Sequence, residues 1–115
     1  MFEGVIAEIM RLDGVEGVAI VGKDGLMIEH EFRRKVDPEL VAAMAVSIYK
    51  SSLEGISKIL GDVANHTMVE GGVGKIIVFD AGENAILCAI TQSDVNLGLI
   101  RTVMKNSAKK VAMSL

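Results

Sequence analysis

A chain of 115 residues can build one hydrophobic core, and much of its surface stays wet. Half of the residues are hydrophobic but only 3% are aromatic, so Ile, Val, Leu, Met and Ala must form that core, and so oily a composition favours self-association. The formal charge of −3 argues against a general nucleic-acid binder, and a single cysteine, Cys88, excludes an internal disulfide framework.

Phe2, Val5, Ile6, Ile9 and Met10 recur at helical spacing and predict a short amphipathic helix over residues 2–12, ended by Gly14. Glu3 and Glu8 interrupt this apolar stretch, which does not read as a leader peptide, and no window approaches the ~20 apolar residues of a membrane span. The expectation is one domain over residues 1–115 in a cytoplasmic setting. Val15–Val21 and Leu26–Phe32 are β-rich runs. Between them stands Gly22-Lys23-Asp24-Gly25, a hairpin signal because Asp-Gly accepts the positive φ of tight turns.

The long segment from Pro38 to Leu60 is the strongest helix prediction. Asp37 is a good N-cap, Pro38 fits the first helical position, Glu39 suits the positive end of the dipole, and Gly61 suits the stop. Val41, Ala45, Tyr49, Leu53, Ile56 and Leu60 fall on one arc, expected to face the core. A second arc holds Leu40, Ala43, Met44, Ser47, Ser51 and Gly55. Its small residues at four-residue spacing would admit another helix closely. A helix wanting cover on two sides in so small a chain points to a second copy of that chain.

Residues 63–70 alternate weakly and predict a polar, edge-type strand containing His66 and Met68. Gly71-Gly72-Val73-Gly74 is a turn. Lys75–Phe79 and Ala85–Ile90 are nearly continuous apolar runs, as expected of central strands covered on both faces. A last helix is expected to start near Ser93 or Asp94 and to bury Ile100, Val103, Met104, Val111 and Leu115, with Arg101, Lys105, Lys109 and Lys110 in solvent. The order α-β-β-α-β-β-β-α with local connections predicts a three-layer α/β/α sandwich. Its five-stranded antiparallel sheet would carry the outer helices on one face and the long helix on the other.

Chemistry is hard to find in this pattern. Glu70–Lys75 resembles the tail of a phosphate-binding loop, but the first glycine position is Val69, Ile76 replaces the hydroxyl residue, and a strand follows. His30 and His66 are the only imidazoles. With Cys88 in a probable central strand they do not make a zinc set, so no metal is expected. No serine nucleophile elbow and no Ser–His–acid set stands out. Arg33-Arg34-Lys35 could offer a guanidinium to a partner's phosphate, or could be a solvated linker. Neither a catalytic residue nor a cofactor is expected.

Several local motifs occur together in a recognisable order. Ile9-Met10-Arg11-Leu12 is followed by Gly14-Val15-Glu16-Gly17-Val18-Ala19-Ile20-Val21, then by Lys23-Asp24-Gly25-Leu26-Met27-Ile28, and finally by Asn96-Leu97-Gly98-Leu99-Ile100-Arg101. With the element order, they resemble the Roadblock/dynein light-chain family, especially its short bacterial and archaeal members that regulate Ras-like GTPases. The resemblance covers essentially the whole chain and implies a profilin-like sandwich. It also implies a homodimer in which the third strands pair across a two-fold axis and the long helices lie side by side. Carried onto this chain, the interface would involve Leu40, Met44, Ser47, Ser51, Gly55, His66 and Met68. Lys50, Glu54 and Lys58 are candidate contacts to a small Ras-like GTPase. Family members lack an active site of their own and serve as platforms for such GTPases; for this chain the composition and motifs above lead to the expectation of no nucleic acid, metal or membrane insertion. Two other readings compete: a small-molecule-binding sensor domain of α/β/α type, and an enzyme using Cys88.

Overall fold

The structure, a computed structural model, describes residues 1–115 and contains eight elements. They are α1 (Glu3–Met10), β1 (Val15–Gly22), β2 (Met27–Phe32), α2 (Pro38–Leu60), β3 (His66–Glu70), β4 (Gly74–Asp80), β5 (Ala85–Gln92) and α3 (Leu97–Ser114). The five strands form one sheet in the order β2-β1-β5-β4-β3, antiparallel throughout. This is the expected three-layer sandwich, with α1 and α3 on one face and α2 on the other.

The apolar runs of β4 and β5 make sense once both faces are covered. Ile77, Phe79, Leu87 and Ala89 point to one face and pack with Ile6, Ile9, Met10, Ile100, Met104 and Val111. Val78, Ile86 and Cys88 point the other way and meet Ala42, Ala45, Val46 and Tyr49 of α2. The period-2 alternation of a strand thus feeds two separate cores. Each fully buried aliphatic side chain contributes about 1.5–3 kcal/mol. The α2 side is lined by small residues, Ala19, Ala42 and Ala45, which lets that helix sit low on the sheet.

Local chemistry sets the element ends. The Asp37 carboxylate accepts the Glu39 N–H at 3.0 Å, and Gly61 closes α2 with φ 65°, a left-handed conformation suited to glycine. In the β1–β2 hairpin Gly25 adopts φ 93°, and Asp24 accepts the Leu26 N–H at 3.0 Å.

The structure corrects five details of the sequence reading, one being that Leu115 lies past the end of α3 and is exposed rather than buried. α1 is shorter than 2–12. β3 begins at His66, because the preceding segment is tied down otherwise: Ala64 is buried and the Asn65 carbonyl accepts the Asp80 N–H at 3.0 Å. α3 is capped by Asn96, whose side chain accepts the Leu99 N–H at 3.0 Å, whereas the Ser93 carbonyl is taken by the Lys75 ammonium. The core-facing arc of α2 is rotated so that Ala42 and Val46 join Ala45 and Tyr49, while Leu60 stands in the open beyond the sheet.

Candidate interaction surface

β3 pairs with β4 along one side only, so its outer side carries backbone groups with no strand partner. Along β3 the side chains alternate. Thr67 points toward α2, where the hydroxyls of Ser52 and Thr67 are hydrogen-bonded at 2.9 Å. His66 and Met68 point to the opposite face, and the His66 ring stacks on Phe79 with centroids 4.6 Å apart. Met68 and Val69 are left exposed.

The Ser52–Thr67 bond fixes which way α2 turns relative to this margin. With Ala42, Ala45, Val46 and Tyr49 facing the sheet, helical geometry carries Met44, Gly55 and Ile59 onto the flank above β3, and Ser51 onto the helix crest beside it. Leu40, Met44 and Ile59 are 57%, 49% and 82% exposed, and a Cβ added at Gly55 would meet no atom within 4 Å. Ser47 and Ser51 are exposed as well. Ile59 extends the arc drawn from sequence, which ended at Gly55, by one further turn. Lys50, Glu54 and Lys58 follow at four-residue spacing on the helix surface turned away from the sheet, and Lys58 pairs with Glu54 at 2.8 Å.

The other sequence candidates lie elsewhere. His30 is on β2 and His66 on β3, the two opposite edges of the sheet, so one chain cannot bring both to one ion. Cys88 is buried, and desolvation pushes its thiol up to about 12, far from a reactive thiolate at neutral pH. Arg33 is a structural clasp: its guanidinium donates to the Met10 carbonyl at 2.8 Å and to the Val15 carbonyl at 2.9 Å. Arg34 pairs with Glu16 at 3.1 Å. Lys75 is buried, donating to the Ser93 carbonyl and pairing with Glu70 at 3.1 Å, so it is not free to hold phosphate.

A polar cluster that the sequence did not reveal joins three elements. Asp80 accepts the Tyr49 hydroxyl at 3.1 Å and pairs with Lys23 at 2.6 Å, while the Lys23 ammonium lies 5.4 Å from the Tyr49 ring centroid. Burial raises the Tyr49 phenol to about 12, reinforced by the Asp80 charge and its hydrogen bond. The cluster fastens α2 and the hairpin to the end of β4.

These elements make a helix-covered antiparallel sheet whose β3 edge lies beside an exposed, partly apolar flank of α2. The chain belongs to the Roadblock/LC7 domain family, whose model matches residues 1–91. An uncharacterized protein of Methanocaldococcus jannaschii is 44% identical over 96% of this chain and 93% of its own length. Among solved structures, a Roadblock/LC7 domain from Streptomyces avermitilis superposes with a TM-score of 0.89 at 16% identity, covering 97% of this chain and 95% of that one. MglB in a tetrameric arrangement superposes with a TM-score of 0.86 at 19% identity, covering 98% of this chain and 88% of that one. Both structural likenesses establish the fold.

Proposed function

We propose that this chain acts as a homodimeric, non-catalytic regulator or scaffold for a small Ras-like GTPase. The observation that carries the reading is the continuity of two unpartnered features. The open side of β3 adjoins the flank of α2 bearing Met44, Gly55 and Ile59, while Leu40, Ser47 and Ser51 continue it onto the helix crest. A two-fold axis beside β3 would extend the sheet from five strands to ten and bury both flanks, the self-complementary arrangement an isologous interface needs. His66 and Met68 would flank the strand junction. The MglB relative described above forms a tetrameric arrangement, which supports self-association in this fold.

In such a dimer the outward surfaces of the two α2 helices form a platform presenting Lys50, Glu54 and Lys58 to the GTPase. Regulation then comes from differential binding: the platform favours one nucleotide-bound conformation and shifts its population. The setting that fits this role is the cytoplasm. Two measurements test the proposal. Light scattering at micromolar concentration is expected to return the mass of two chains; a single-chain mass with the fold intact overturns the dimer. GTP turnover by a Ras-like GTPase from the same genome is expected to change on adding the chain. Unchanged turnover together with failed co-purification overturns the regulatory role.

A further inference from the structure

On the face opposite α2, the sheet extends past α3 toward β3 and leaves a cleft of about 560 Å³. Ala108 and Ala112 keep the α3 wall low, and Asn65, His66 and Phe79 form the opposite wall. The rim of α3 carries Arg101, Lys105 and Lys109, spaced four residues apart.

Of the cations without a carboxylate or carbonyl partner, Arg11, Lys35 and Lys50 lie apart at different places in the fold, whereas these three gather in one cleft. Lys23, Arg34, Lys58, Lys75 and Lys110 are paired with carboxylates, and Arg33 is spent on two carbonyls. Arg101, Lys105 and Lys109 have no such partner, yet they share one cleft in a protein of net charge −3. Asp80, the one acidic residue lining the cleft, is already engaged by Lys23 and Tyr49. Helix electrostatics do not account for the arrangement. Like charges four residues apart repel. An anion in the cleft would offset that cost.

We infer that this cleft binds a small molecule carrying a chain of two or three phosphates. Its volume lies in the range of small-ligand sites. The cation row extends along about 12 Å of helix, which suits consecutive phosphates bound by one guanidinium and two ammonium groups. Asn65 and His66 stand on the facing wall, and both side chains carry N–H groups. The proposal stands apart from GTPase regulation, and its test needs the purified chain alone.

Isothermal titration with inorganic tripolyphosphate and with ATP, at physiological salt, reads the site directly. Saturable binding with a Kd below about 100 μM is expected for at least one of them. Lys105→Glu is expected to weaken it about tenfold or more, and Lys105→Arg to retain it. Lys35→Glu makes the same charge change outside the cleft and is expected to leave the affinity unchanged. Three outcomes overturn the inference: no saturable heat with either probe at millimolar concentration, equal weakening by Lys35→Glu, or an acidic peptide that binds while neither phosphate probe does.

Discussion

The two margins of the sheet face the same hazard and answer it differently. β2 is an edge strand defended by charge: Glu29 holds the N-terminal ammonium at 3.3 Å, Glu31 is exposed, and the ladder to β1 slips register between Ile20 and Val21. Such charges and irregularities discourage another strand from adding. β3 pairs with β4 in unbroken register and shows Met68 and Val69 at its surface, beside a helix flank that is itself apolar. One margin is charged and irregular, and the other is regular and more apolar, which is why the proposed dimer is placed at β3. An edge strand is therefore informative only together with what stands beside it.

The sharpest way to break this contrast is to crowd the α2 flank. Gly55→Arg or Ser51→Arg is expected to weaken the proposed dimer at least about a hundredfold, near 3 kcal/mol, because helix axes ~8–10 Å apart leave no room for a long charged side chain. Sedimentation across a concentration series checks it, and a mass that stays dimeric refutes the chosen helix face. Next in size, Val69→Lys on β3 is expected to weaken self-association about tenfold, while Ile28→Lys on β2 leaves the mass unchanged. Equal responses from the two strands would erase the distinction between the margins.

Arg33→Ala tests the defended side by another readout. Losing two charge-assisted bonds to the carbonyls of Met10 and Val15 is expected to cost about 1–2 kcal/mol in denaturant unfolding without altering the mass. The last effect appears only at alkaline pH and concerns the α2 face of the sheet. Cys88 and Tyr49 sit at about 12 in the folded chain, against ordinary values of 9.0 and 10.0. The unfolded chain therefore gives up these protons first, so stability falls as pH rises from about 9 toward 12. Cys88→Ala is expected to flatten part of that slope, measured as melting temperature against pH.

Much of the fold was legible because local signals agreed with the global pattern. Asp37, Pro38 and Gly61 delimit α2, Asp24-Gly25 turns the hairpin, and the two-faced apolar runs of β4 and β5 demanded cover on both sides. The misses have a common cause. The exposure of Leu60, the start of β3 at His66 and the Asn96 cap all depend on where one element ends against another, which spacing along the chain does not encode. The candidate surface was half visible. The arc could be drawn from sequence, but Ile59 required knowing that the last turn of α2 is exposed all round. Arg101, Lys105 and Lys109 read as solvated residues, because nothing in their spacing says that β3 and β4 extend beyond α3 to make a cleft.

The Tyr49–Asp80 and Ser52–Thr67 bonds fasten α2 to the sheet near the middle of the helix. Ser57, Lys58, Ile59 and Leu60, beyond these two rivets, are all exposed. The helix is thus mounted like a cantilever, clamped at mid-span with a projecting tip. Substitutions at that tip are therefore expected to leave both cores undisturbed, so its four side chains can vary without loss of the fold.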